Sequence, residues 1–155
     1  MKEPKITNKP RFTVIGMKYR GKNEHNEIPQ LWDQFMTREG EIKQKIDSNA
    51  CYGVEDNIDE TSGEFDYVAA FEVPSDADAP EGMVKWEVPE QNYAVFTCTL
   101  PTIREAYETA YKSWLPKSNY QRAAGPEFEL YDQDFDHRDP GSPMYLYIPI
   151  KELVA

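Results

Sequence analysis

Trp114-Leu115-Pro116-Lys117-Ser118-Asn119-Tyr120, followed after a short polar gap by Gly125-Pro126-Glu127-Phe128-Glu129-Leu130-Tyr131-Asp132, is the stretch on which the fold turns. Ser113, Trp114 and Leu115 close an amphipathic helix, and Pro116 is expected to stop it because its ring cannot continue the hydrogen-bond ladder. Pro126 then opens a strand in which Phe128 and Leu130 alternate with Glu127, Glu129 and Tyr131. A carboxylate inside an apolar and aromatic strand is costly to bury without a partner. Glu129 is therefore the residue to explain, and Glu127, on the same face, competes for its role.

Working outward, the helix before this stretch starts at Pro101 and Thr102. It carries Ile103, Ala106, Tyr107, Ala110 and Trp114 at i, i+3 and i+4 spacings. Two strand pieces precede it, Met83 to Val88 and Tyr93 to Leu100, and the second reads as an exposed edge able to pair two copies. A polar turn, Asp132 to Pro143, leads to a last strand, Met144 to Ile150. The same order appears earlier in the chain. Phe12 to Met17 reads as a strand, and Ile28, Leu31, Trp32, Phe35 and Met36 mark a helical face that Glu39-Gly40 ends or interrupts. Ile42 and Ile46 are placed to extend that helix by a turn or two. Cys51 to Val54 is a short strand, Glu55 to Glu64 an acidic turn, and Phe65 to Val73 a further strand.

Strand–helix–strand–strand thus occurs twice, in halves of about 10–73 and 83–155, joined by the linker Pro74 to Gly82. Residues 1–9 are polar and expected to fray. The predicted class is α+β, a pseudo-twofold domain in which an antiparallel sheet backs two helices.

Composition narrows the function. The 155 residues hold 28 acidic and 17 basic side chains, a formal charge of −11, with no basic stripe, so nucleic acid is not expected as a direct partner. Neither a signal peptide nor a membrane span is expected, and the expected location is the cytoplasm. Cys51 and Cys98 lack Cys-x-x-Cys spacing and read as buried free thiols. Asp132-x-Asp134-x-Asp136 begins like a calcium loop, but His137 and Pro143 stand where glycine and glutamate are needed. His25 and His137 have no partner at zinc-site spacing. Neither metal nor cofactor is expected.

Trp-Leu-Pro-x-Ser-x-Tyr followed by Pro-x-Phe-Glu-x-Tyr resembles the second half of the GyrI-like, or AraC-type, effector-binding family, the ligand module also found in Rob and BmrR regulators. In the first half Ile28-Pro29-x-Leu31-Trp32-x-x-Phe35, Tyr52-Gly53-Val54 and Phe65-x-Tyr67 fit the same family. Further on, Pro89-x-x-x-Tyr93-Ala94-Val95-Phe96 and Tyr145-x-Tyr147-Ile148-Pro149-Ile150 fit too. The resemblance runs from about Phe12 to Leu153 and implies a ligand cleft between the halves.

The resemblance places Glu129 at the floor of that cleft and matches Tyr52 and Tyr67 to its aromatic lining. Tyr131 shares the face of Glu129 two residues on, and Trp32, on the apolar face of the first helix, is either pocket wall or core. A poorly solvated carboxylate among aromatic rings favours a delocalised cation that also stacks. The expected protein binds small amphipathic molecules, cationic or aromatic. Relatives carry this module beside a helix-turn-helix, for which the sequence leaves no room, so a stand-alone form is expected. Two other functions fit. Some stand-alone relatives hydrolyse cyclopropanoid genotoxins, which makes Glu129 a catalytic candidate. The family namesake inhibits gyrase, which suggests protein–protein interaction and leaves a link to gyrase or to a transcription factor open.

Overall fold

In the computed structural model, residues 3–153 are described. They form one nine-stranded sheet, with strands β1 (Lys5–Lys9), β2 (Phe12–Gly21), β3 (Cys51–Asp56), β4 (Phe65–Val73), β5 (Val84–Val88), β6 (Gln91–Thr99), β7 (Tyr120–Arg122), β8 (Glu127–Tyr131) and β9 (Pro143–Glu152). Helix α1 (Glu27–Arg38) follows β2. Helix α2 (Ile103–Glu108) follows β6 and continues through a π-helical segment, Thr109–Trp114, into a last turn, Leu115–Lys117. No helix among the described residues is long and apolar enough to cross a membrane.

The order across the sheet is β1-β6-β9-β8-β3-β4-β2-β5, with β7 paired to β9 and every pairing antiparallel. Two four-strand halves, β5-β2-β4-β3 and β1-β6-β9-β8, therefore meet at the β3–β8 seam. The expected α+β class with its doubled unit is present. Each half also takes its outer strand from outside the expected boundaries. β1 precedes the first half in sequence but pairs with β6 of the second, and β5 opens the expected second half but pairs with β2 of the first.

Four local expectations are corrected. Residues 5–9 form a paired strand rather than a frayed tail, because Lys5 to Lys9 lies along Val95 to Gln91. A mostly exposed edge strand has no use for an apolar face, so its polar composition resembles that of a tail. β6 is consequently an interior strand and not an exposed edge. After α1 the chain tightens into a 3₁₀ turn, Glu39–Glu41, and Ile42 turns extended, so Ile42 and Ile46 do not prolong the helix. Finally, Pro116 lies inside the last helical turn. The π-helical segment before it shifts pairing by one residue and widens the turn, which accommodates a residue with no N–H.

The two sheet faces carry separate cores. On the helix face, α1 packs Leu31 and Phe35 against Ile15, Tyr67 and Phe71, while Ala106 and Ala110 pack with Phe96, Leu146 and Ile148. On the other face Phe12, Tyr52, Tyr93 and Phe128 form a third cluster.

Candidate functional site: a carboxylate in an aromatic box at the seam

Glu129 sits at the centre of the molecule because β8 pairs with β3 at the seam, with Gly53 directly across from it. Alternation sends Glu127, Glu129 and Tyr131 to the helix face, together with Cys51, Gly53 and Glu55 of β3 and Tyr67 of β4. Glu129 is 5% exposed. Its Oε1 accepts hydrogen bonds from the hydroxyls of Tyr67 and Tyr131, each at 2.8 Å, and its Oε2 accepts one from Tyr107 at 3.2 Å. Trp32 of α1 closes the box from above. Its Nε1–H donates to the Tyr67 hydroxyl at 2.9 Å, and its ring meets Tyr131 edge-on, 5.6 Å between centroids.

Gly53 makes this approach possible. A Cβ there would lie 2.0 Å from the Tyr67 hydroxyl and 2.8 Å from Glu129 Oε1. The space a side chain needs is taken by the hydroxyl–carboxylate contact.

Two further carboxyl groups share the face. Glu55 is the cross-strand partner of Glu127 and lies against Glu129. Glu127 accepts a 2.5 Å hydrogen bond from Tyr111, whose oxygen in turn accepts one from Arg122 Nε at 2.9 Å. None of the three carboxylates takes part in a salt bridge among the described residues. Burial pushes Glu129 above the ordinary carboxylate value, against the opposing pull of its tyrosine hydrogen bonds. Burial, and then the charges of Glu129 and Glu127, push Glu55 well above it. Glu127 is raised by burial too, and the Tyr111 hydrogen bond and Arg122 work against the shift. Tyr67, Tyr107 and Tyr131 are held neutral by burial and by these neighbouring acids.

Of the sequence-derived set, Glu129, Tyr67, Tyr131 and Trp32 come together, and Tyr52 does not. Tyr52 pairs with Leu130 rather than Glu129, so it projects from the opposite face. There it packs on Phe12 and Phe128, and its hydroxyl donates to Glu72 at 3.2 Å. The choice between Glu127 and Glu129 dissolves, since both face the helices, Glu129 fully buried and Glu127 half-buried. Sequence reasoning missed Glu55, Tyr107, Tyr111 and Gly53 as members of the site. The acidic turn expected from Glu55 begins only after Asp56, because β3 runs on to that residue. Tyr107 stood among ordinary core positions of its helix, and alternation counted from Gly53 would have found Glu55.

Of the two cysteines, Cys51 lies at the rim of this cluster, directly across from Tyr131, and Cys98 packs in the core of the second half. Cys51 and Cys98 are free, and burial pushes their thiols up to about 12 and about 11. The surface cavities beside Arg38 and Pro80, and beside Phe96 and Trp114, share no residue with the Glu129 cluster. Exchanging hydroxyls for hydrogen separates the two faces experimentally. Tyr67→Phe is expected to weaken ligand binding about tenfold by removing a charge-assisted hydrogen bond, whereas Tyr52→Phe leaves it unchanged. Calorimetric titration of both variants checks this.

A duplicated α+β sheet with an acidic, aromatic-lined seam defines the class: an effector-binding domain, as the GyrI-like resemblance implied. The chain belongs to the Cass2 family, the integron-associated effector binding proteins, matching it over residues 5–150. It is 44% identical over 149 residues to the transcriptional regulator BrlR of Pseudomonas aeruginosa strain PAO1. That match covers 94% of this chain and 54% of BrlR, so the chain spans about half the length of the curated relative. Three solved structures share the fold. An integron cassette protein from the mobile metagenome of Vibrio cholerae is 19% identical, with a TM-score of 0.68 and 97% coverage of both chains. SAV2435, solved bound to tetraphenylphosphonium, is 20% identical, with a TM-score of 0.69 and coverage of 97% and 94%. The EcmrR C-terminal domain is 11% identical, with a TM-score of 0.73 and coverage of 97% and 98%. The protein is thus of the small-molecule-binding type and related to a transcriptional regulator.

Proposed function

We propose that the protein binds lipophilic or planar aromatic cations at Glu129, with Trp32, Tyr67, Tyr107 and Tyr131 as the walls. One observation carries this reading: a 5%-exposed carboxylate held by three tyrosine hydroxyls, with no side-chain cation paired to it among the described residues. Hydroxyl donors lower the cost of burying the charge but do not neutralise it, so the favourable Coulomb term is left for a ligand. Aromatic faces add cation–π attraction, which strengthens where water is excluded. The cation bound to SAV2435, a protein of the same fold, is consistent with this chemistry. Trp32 donates to the Tyr67 hydroxyl that in turn donates to Glu129, so a ligand that displaces the indole breaks that bond.

The test is thermal denaturation and calorimetry with tetraphenylphosphonium and the neutral triphenylphosphine oxide. Wild type is expected to be stabilised by the cation and not by the oxide. Glu129→Gln, near-isosteric and neutral, is expected to lose at least tenfold in cation affinity, about 1.4 kcal/mol. Equal binding of both compounds to wild type and variant would defeat the reading.

A second reading uses the same carboxyl. Its raised protonation range and tyrosine donors suit a general acid that opens a strained ring. Mass spectrometry of a cyclopropane-bearing electrophile incubated with the protein decides this, and a product heavier by one water assigns hydrolysis.

A further inference from the structure

We infer that β5 is a self-association edge: two copies of the chain join their sheets by antiparallel pairing of this strand about a two-fold axis through Trp86. Lys85 of each copy then stands opposite Glu87 of the other.

The path of the sheet ends in β1 on one side and β5 on the other, and among the described residues neither has a strand on its outer side. An outer strand presents a row of unpaired N–H and C=O groups, which recruits another strand unless the edge is blunted. The two edges differ in this respect. β1 reads Lys5-Ile6-Thr7-Asn8-Lys9 and is flanked by Pro4 and Pro10. Paired with its own copy about Thr7, it would set Lys5 against Lys9 on both sides of the axis, and like charges across a ladder repel. β5 reads Val84-Lys85-Trp86-Glu87-Val88. Lys85 and Glu87 are exposed on the helix face, across from Ile15 and Thr13, while Val84, Trp86 and Val88 take the other face, across from Gly16, Val14 and Phe12.

Antiparallel partners project from the same face, so a two-fold pairing of β5 is centred on a residue and not between two. Centring on Lys85 places lysine against lysine, and centring on Glu87 places glutamate against glutamate. Centring on Trp86 sets Lys85 opposite Glu87 twice, Trp86 opposite Trp86, and Val84 opposite Val88. This register alone matches unlike charges, and it uses the whole length of the strand. Trp86 is half-buried beside the Phe12, Val14 and Val88 cluster, and a second indole across the axis covers its free side. Within the chain Glu87 meets Arg11 at 3.9 Å, with both side chains more than half exposed, a contact too weak to withhold it from a second copy. The axis runs normal to the sheet, which brings both helix faces to one side. β2 and β4 lie between β5 and the seam, so the contact leaves the Glu129 cluster free.

Sedimentation equilibrium of the full chain is the test. The wild-type mass is expected to climb from 18.0 kDa towards twice that value over about a hundredfold range of concentration. Lys85→Glu and Glu87→Lys each set like charges against one another on both sides of the axis, and each is expected to weaken association about tenfold or more. Circular dichroism checks that both variants fold. An equimolar mixture of the two is expected to associate again as a heterodimer, because the acidic strand of the first then meets the basic strand of the second. Lys43→Glu, an exposed change of the same charge away from β5, is expected to leave association as in wild type. A wild-type mass fixed at 18.0 kDa at every concentration would overturn the pairing. So would association that survives both single variants, an equal loss in Lys43→Glu, or a mixture of folded variants that stays monomeric.

Discussion

Gly53→Ala is expected to lower stability by about 3 kcal/mol and to abolish measurable cation binding, although it adds one methyl group far from any surface. The added carbon would stand 2.0 Å from the Tyr67 hydroxyl and 2.6 Å from its ring carbon Cζ. Neither neighbour yields easily. Tyr67 is 1% exposed, with its hydroxyl tied to both Trp32 and Glu129. Moving the ring breaks two hydrogen bonds and leaves a buried carboxylate short of a donor, which adds a desolvation penalty to the overpacking. Gly40→Ala is the matched control: a Cβ there meets nothing within 4 Å, so the change is expected to be neutral or mildly stabilising. Chemical denaturation of both variants measures the contrast, and equal midpoints would show that the Gly53 gap does not set the box.

The second large effect is on pH dependence. Glu55, Glu127 and Glu129 are all raised above the ordinary 4.5 in the folded state, with burial the first cause in each. The native state therefore holds more protons than the unfolded chain above that value. The stability these groups contribute is complete below pH 4.5 and is lost as pH rises through their folded-state values. Each pH unit across that interval costs about 1.4 kcal/mol for each group that has not yet ionised. Asp66 acts in the opposite sense. Burial works against its charge, but hydrogen bonds from Asn57 and Arg20 override this and hold it below the ordinary 3.8, so its contribution is lost as pH falls. The melting temperature of the free protein is expected to peak in mildly acidic solution and to decline towards pH 8. In Glu55→Gln the decline is expected to be shallower. A cation reverses the trend: its binding expels protons, and its affinity rises with pH. Calorimetry in two buffers of different ionisation enthalpy reads that release directly, and binding with no proton release would sink this account.

The parts of the fold legible from residues alone are those with a local period. Ile28, Leu31, Trp32 and Phe35 mark α1 by helical spacing, and Phe128 and Leu130 mark β8 by alternation, because each pattern repeats within a few residues. The doubled strand–helix–strand–strand order follows from such segments read in sequence. β1 escapes that reading: as an edge strand it buries little and carries no apolar period, and its partner β6 lies most of the way to the other half of the chain. Tyr52 shows a different gap. Its aromatic character and its place beside Gly53 are visible in sequence, but the face it projects from depends on register against β8, and a shift of one residue reverses every side chain.

By itself, then, the sequence determined the class of the domain, its two helices, and the presence of a glutamate in an aromatic strand that demands a partner. The tertiary structure decided which strands the halves exchange, that Tyr52 faces away from Glu129, and that Glu55, Tyr107 and Tyr111 converge on the same carboxylates. The reason is physical. Helical and strand periods are written in neighbouring residues, whereas register, curvature and the meeting of a helix with a strand arise from contacts between residues far apart in the chain.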